Sequence, residues 1–265
     1  MNTSGPQWQR FTPTKRFLRF SVYLLTVAAV VFSIRTIEII PEFILDAPHQ
    51  MADLLNRMWP MDTGHYSQGV HQALMETMHV ATLGTIGTVF FAIPVAILAS
   101  GRVVPWQPVN MSARLILVSS RSVNTLVWAL LFVAVFGPGA VAGTMAIAFR
   151  SIGFVGKLLS EALDETDPGP VEALRSVGAP WFSVFIKGYW PQVLPSFWSI
   201  ILFRWDINVR ESAVLGLVGA GGIGMALDTA LNLFYWDRVS LILFTIFAVV
   251  IAMEILVTWI RKRII

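Results

Sequence analysis

Residues 161–195 read EALDETDPGPVEALRSVGAPWFSVFIKGYWPQVLP, the one long polar interruption in the second half of an otherwise apolar chain. The stretch carries its own punctuation. Asp167 suits a helix N-cap, and Pro168 suits the first helical position, where its missing N–H costs nothing. Pro170 lies in the same first turn, and Glu172 follows near the positive end of the helix dipole. Gly178 fits the left-handed residue after a last turn, and Pro180 prevents continuation. The spacing predicts a short helix over 168–177, with Val171, Leu174 and Val177 on one apolar face. Two readings of such a helix compete: an interfacial helix resting on lipid headgroups, or a docking helix for a soluble partner.

Composition places that helix in a membrane protein. The chain has 265 residues, 55% of them hydrophobic and 13% charged, with a mean hydropathy of +0.68. An ordinary soluble domain is far more polar. Several runs reach the ~20 apolar residues needed to cross a ~30 Å hydrocarbon core, so the fold class is all-α and polytopic. There is no cysteine, which excludes a disulfide framework, a thiolate metal site and a cysteine nucleophile. The net charge of +3 does not point to nucleic acid. No Walker lysine motif is present, so the sequence offers no nucleotide-binding loop of that kind. Asp164, Glu165 and Asp167 read as solvated capping groups rather than acid/base catalysts.

Working outward, six spans emerge. Arg10, Lys15, Arg16 and Arg19 precede a first span at 17–38, which runs on without a small-residue cleavage site. Residues 41–69 are mixed and Pro-bounded, and Ile44, Met51, Leu54, Leu55 and Met58 allow an amphipathic helix on the outer surface, with Trp59 as an interfacial anchor. The histidines at 49, 65, 71 and 79 read as polar or interfacial groups, since no further ligands converge on His71 and His79. The second span covers 71–99. Gly84, Thr88, Ala92, Ala96 and Ser100 recur every fourth residue, a stripe that lets helix backbones approach in lipid. Pro94 is a kink candidate. A third span is expected over 112–136, a tight turn at 136–139 (FGPG), a fourth span over 139–162, a fifth rising from Tyr189, and a last over 237–260. Arg261, Lys262 and Arg263 then place the C-terminus, like the N-terminus, in the cytoplasm.

Residues 206–236 break the rhythm. Gly219, Gly221, Gly222 and Gly224 are too dense for a lipid-facing helix interior. They resemble a dinucleotide fingerprint only superficially, because no βαβ unit precedes them. The expectation is a broken helix or re-entrant segment, buried in protein or lining a cavity, whose glycines supply the backbone freedom a gate needs.

Intramembrane charges are the candidates for a path: Arg121, Arg150, Arg204, Asp206, Arg210 and Glu211. Such groups are costly in lipid and face a cavity or a partner. At 1.5 Å per residue, Arg121 in the third span and Arg150 in the fourth both fall about 14 Å above the inner edge. Neither has an acidic residue at that depth in its own span, so both are expected to face the translocation cavity. The competing reading is structural pairing, with Arg204–Asp206 and Arg210–Glu211 as the adjacent opposites. Adjacent helical residues do not face each other, so those pairs would have to form between helices.

A family resemblance joins these features. Glu172-Ala173, Gly178 and Pro191 resemble the loop shared by permease subunits of ATP-binding-cassette importers: Glu-Ala-Ala, three residues, Gly, nine residues, Ile, one residue, Leu-Pro. Here Leu174 replaces the second Ala, Gly188 stands at the Ile position and Trp190 at the Leu position. GYWPQVLP resembles the version in phosphonate-importer permeases. Residues 127–179 resemble the central core of those permeases, and WDINVRESAVLGLVGAGGIG at 205–224 their late signature. The similarity covers roughly 70–265, leaving 1–69 as cytoplasmic N-terminus, first span and external segment.

The resemblance implies the methionine-importer fold, with five core spans and an extra N-terminal helix. It implies a homodimer in the lipid bilayer of a bacterial inner membrane, two cytoplasmic ATPase subunits that bind ATP and Mg, and an external solute-binding protein. The loop at 161–190 would couple to the ATPase, and the cargo would be phosphonate, phosphite or hypophosphite. Two further classes stand beside this reading. One is a transporter of another small solute, with or without an ATPase. The other is a membrane enzyme acting on lipid phosphate, which needs a nucleophile and acid/base residues at one depth.

Overall fold

A computed structural model describes residues 12–37 and 40–264; Arg10 and Glu38 lie outside them. The described residues form α-helices joined by short 3-10 and π turns, with no strand among them. Two compact units divide between Leu54 and Leu55.

The first unit holds α1 (Pro13–Thr36) and most of α2 (Pro41–Arg57). Pro13 starts α1 at its first position, where proline is tolerated. The helix exposes apolar side chains all round, from Phe17 through Phe32 to Ile34, the pattern of a lipid-facing span. No residue of α2 is buried, and Phe43, Ile44 and Leu45 are exposed.

The second unit contains α3 (His71–Ala99), α4 (Gln107–Ser122), α5 (Thr125–Phe136), α6 (Ala140–Asp164), α7 (Pro168–Ser176), α8 (Trp181–Val184), α9 (Trp190–Leu215), α10 (Ile223–Asn232) and α11 (Trp236–Ile264). Met58 and Met61 pack here too, against the cluster of Val70, Ile223, Val239 and Ile242. Among the described residues of both units, five helical segments are long and apolar enough to cross a membrane, and α4 with α5 makes a sixth if the bent pair is one span.

The core is built on α3 against α6. The stripe Gly84, Thr88, Ala92, Ala96 and Ser100 is buried. A Cβ on Gly84 would come within 2.7 Å of Ile147 Cγ2. Thr88 donates its hydroxyl to Gly84 O at 2.7 Å, satisfying itself inside its own helix. Small side chains thus trade volume for backbone proximity, which drives helix association where lipid tails offer no hydrophobic gain. Pro94 sits inside α3, which continues to Ala99.

Three expected boundaries are corrected. The third span is not one helix: α4 ends at Ser122, α5 begins at Thr125, and the two meet at 90°. Val123 and Asn124 are extended, and the Asn124 side chain accepts the Leu126 N–H at 3.0 Å as an N-cap. The fifth span begins at Trp181 rather than Tyr189. Pro180 caps it, and a π turn over Phe185–Tyr189 carries α8 into α9, so Lys187 and Gly188 lie in helix. The short helix stops at Ser176, and Val177 is 79% exposed instead of completing the apolar face.

Candidate functional site

Three groups of predicted residues fall in three places. At the α7 end of the bundle, the Asp167 carboxylate accepts the Gly169 N–H at 3.0 Å, and Gly178 adopts φ +75°. Val171 is buried, Leu174 is half-buried, and Glu172 and Ala173 are exposed. The helix rests on α9's entry: a Cβ on Gly188 would stand 3.2 Å from Val171 Cγ2 and 3.4 Å from Leu174 Cδ1. That contact explains a glycine at this position. Pro191 is the second residue of α9, where its missing N–H removes little. Following α7 in the chain, Val177, Trp181 and Phe182 expose apolar surface.

At the opposite end, α9 stops at Leu215, and one 3-10 turn leads into a glycine hairpin before α10. Gly219, Gly221 and Gly222 have φ of +84°, +84° and +74°, a region β-substituted residues avoid. Ala220 to Gly224 are buried. Thr77 of α3 accepts the Ile223 N–H at 2.7 Å, and the Gly139 N–H donates to Gly219 O at 2.8 Å. The expected broken helix is present. Its glycines serve left-handed backbone and close packing against α3 and α6, rather than backbone slack.

Between these ends lies the charged cluster. Arg150 is ten residues along α6, about 15 Å from its start. Its Nη1 meets Glu211 Oε1 at 2.5 Å, and Arg204 Nη2 meets Glu211 Oε2 at 3.2 Å. Thr125, the first residue of α5, donates its hydroxyl to Glu211 Oε2 at 2.9 Å. Arg204 is 3% exposed, and its Nε donates to Ser151 Oγ at 2.8 Å. Ser151 in turn donates to Asn208, which donates to Thr85 of α3. One carboxylate therefore ties α5, α6 and α9 together. Asp206 pairs with Arg210 one turn away.

Several expectations are corrected here. Arg204 does not pair with Asp206, nor Arg210 with Glu211. The realised pairs are spaced four and seven apart on α9, where side chains share a face, and only Arg150–Glu211 crosses between helices. Arg150 thus has an acidic partner, contributed by another helix. Arg121 is not with it. The 90° bend ends α4 there, and Arg121 lines a separate cleft with Arg114, Lys157, Glu161 and Asp164. It is exposed and makes no ion pair among the described residues.

The Arg150 cluster borders a cleft of about 350 Å³ lined by Asn124, Thr125, Arg150, Arg210, Glu211 and Val214. Three arginines against two carboxylates leave one positive charge. The N-terminus of α5 opens on the same cleft and adds positive dipole. Arg150 Nε is buried without a hydrogen-bond partner, a spare donor. Sequence reasoning missed Asn124 and Thr125, although an Asn-Thr pair inside an apolar run is a cap signature. Ser151 and Asn208 carried no signal above ordinary polar helix residues.

The chain is 36% identical over 234 residues to the phosphate-import permease protein PhnE of Mycolicibacterium smegmatis, covering 88% of this chain but 44% of that protein. It is 35% identical to the phosphite transport system permease protein PtxC of Stutzerimonas stutzeri, covering 83% of this chain and 80% of PtxC. Among solved structures it is similar to an inward-facing conformation of the MetNI methionine ABC transporter, with a TM-score of 0.65 and 20% identity over 74% of this chain and 96% of that one. The crystal structure of an amino acid ABC transporter with histidines gives a TM-score of 0.63, also at 20% identity, over 75% and 95%. These likenesses show the type I ABC importer permease fold. The profile of the family described as binding-protein-dependent transport system inner membrane component matches residues 81–265, and the chain belongs to that family.

Proposed function

We propose that this permease carries a phosphorus oxyanion such as phosphite, phosphate or a phosphonate inward, as a homodimer driven by two cytoplasmic ATPase subunits and fed by an external solute-binding protein. ATP and Mg belong to the ATPase chains. The observation that carries the reading is the arginine-rich cleft at mid-depth, in a chain about one-third identical to permeases named for phosphate and phosphite. Excess positive charge and the guanidinium donors of Arg150 and Arg210 that line the cleft suit a tetrahedral oxyanion. The arginines need not clamp it, because a site that binds too tightly retards release. Uptake of radiolabelled phosphite by the assembled complex tests this. Arg150→Gln is expected to lower uptake at least about tenfold, the scale of one lost charge-assisted hydrogen bond, with binding by the external protein unchanged. Normal uptake by that variant would place the path elsewhere.

In this reading α7 faces the cytoplasm and docks on the ATPase, with Glu172, Ala173, Leu174, Gly178 and Pro191 forming or positioning the contact. Support comes from the capped, rigid α7, from the exposed Val177, Trp181 and Phe182 beside it, and from the basic residues at both chain ends. A single cysteine checks orientation and docking together, since the chain has none of its own. Val177→Cys is expected to resist a membrane-impermeant thiol reagent from outside. It should react from inside, and bound ATPase should protect it at least about fivefold. Rapid labelling from outside refutes the orientation; equal labelling with and without ATPase refutes the docking.

The glycine hairpin is proposed as the fixed outer hinge about which the gate moves. Its support is the tight packing of Gly221 and Gly222 on α3 and α6 and of Gly224 on the end of α9.

A further inference from the structure

The Glu211 carboxylate occupies the place where an anion would be best held. It takes one hydrogen bond each from Arg150, Arg204 and Thr125, at the mouth of the α5 N-terminus. Its surroundings are unequal. Arg204 is 3% exposed and anchored from behind by Ser151, whereas Arg150 is 28% and Glu211 22% exposed toward the cleft. The inner half of the arrangement is therefore fixed, and the half formed by Arg150 and Glu211 is accessible. A carboxylate with two acceptor oxygens imitates two oxygens of a phosphorus oxyanion.

We propose that Glu211 is a built-in competitor of the transported anion. In the empty permease its carboxylate holds the donors of Arg150 and Thr125. An oxyanion entering the cleft takes those donors over, and Glu211 recovers them as the anion leaves. This gives the permease two properties at once. The empty cleft keeps a near-balanced charge, so its arginines do not repel each other. The filled cleft always has an internal group ready to displace the cargo, which limits residence time. The inference rests on the reading of this cleft as the anion path, and it names the group that sets affinity there.

The test uses the permease–ATPase complex in nanodiscs, without the binding protein, and radiolabelled phosphite as the probe. Equilibrium binding in the nanodiscs, and ATP-driven uptake by the same complexes in proteoliposomes supplied with the binding protein, are compared for wild type, Glu211→Gln and Arg150→Gln. Removing the competitor's charge while keeping its shape is expected to tighten phosphite binding about tenfold and to slow uptake, because release loses its displacing group. Arg150→Gln is expected to abolish binding. If Arg150→Gln loses binding but Glu211→Gln binds no tighter than wild type, Glu211 is only a structural tie and the inference fails while the path stands. If both variants bind and transport as wild type does, the path reading itself fails. Should Glu211→Gln not assemble, Glu211→Asp withdraws the carboxylate by one methylene. Binding about threefold tighter then supports the competitor, and equal or weaker binding overturns it.

Discussion

Replacing Gly222 by valine is expected to unfold the hairpin between α9 and α10 and to stop transport. Two costs add at this position. With φ at +74° a β-branched side chain is strained, at roughly 1–3 kcal/mol. Its Cβ would also overlap Thr77 Oγ1 and approach the Thr77 Cβ to 3.3 Å, and forced overpacking adds roughly 1–3 kcal/mol. Thr77 cannot step aside freely, because its hydroxyl donates to Ala73 O at 2.9 Å and accepts the Ile223 N–H. A loss of roughly 2–6 kcal/mol consumes much of a typical stability margin. The measurement is the thermal midpoint of the detergent-solubilised complex together with phosphite uptake. Gly219→Ala is the milder control, since its Cβ would meet only Pro138 at 3.5 Å and Val133 at 3.8 Å. Should Gly222→Val match wild type in both assays, the hairpin is a loose linker and the packing account is wrong.

Arg204→Met is expected to cost about 3–5 kcal/mol, the range for removing one partner of a buried ion pair. Arg204 supplies a buried cation to Glu211 and a donor to Ser151, and methionine replaces neither. Its guanidinium also lies 5.4 Å from the Phe154 ring centroid, and methionine brings no cation to that ring face. The loss should appear as a lowered unfolding midpoint and reduced yield of folded permease. Arg121→Gln, by contrast, removes an exposed charge without an ion pair and should stay within about 0.5 kcal/mol. Equal midpoints for these two substitutions would show that the Arg204 network contributes nothing to the fold.

What could be read from the sequence was what local chemistry determines. Asp167, Pro168 and Gly178 bound α7 because capping, proline and left-handed backbone act within a few residues. The stripe from Gly84 to Ser100 revealed its buried face through periodicity alone. The dense glycines at 219–224 announced a break. What stayed hidden depends on partners distant in sequence. The apolar run through residues 112–136 averages over the polar Ser122–Thr125 segment, so hydropathy reads one span where Asn124 caps a second helix. Lys187, Gly188 and Pro191 look like loop residues, yet the first two lie in a π turn and Pro191 in the first turn of α9. The pairing of Glu211 with Arg150 needed the placement of α6 beside α9, which no spacing within either helix encodes.

The break at Val123–Asn124 has an electrical consequence. The interruption leaves carbonyl groups at the end of α4 that a bilayer interior cannot satisfy, and in the proposed path the cleft beside the break is where water would supply their partners. Water conducts the field, and voltage then falls mainly across the dry layer beyond the break rather than across the whole membrane. An anion entering a cell whose interior is negative moves against that voltage, at ~2.3 kcal/mol per charge per 100 mV. A dianion would meet about twice that opposition, concentrated in the second half of its journey. In the proposed path the first half, from the outer water to Arg150, would be nearly free of it. The proposed work from ATP would then fall on the step that carries the anion past the arginines, confined by a wet cleft to one short stretch of the path.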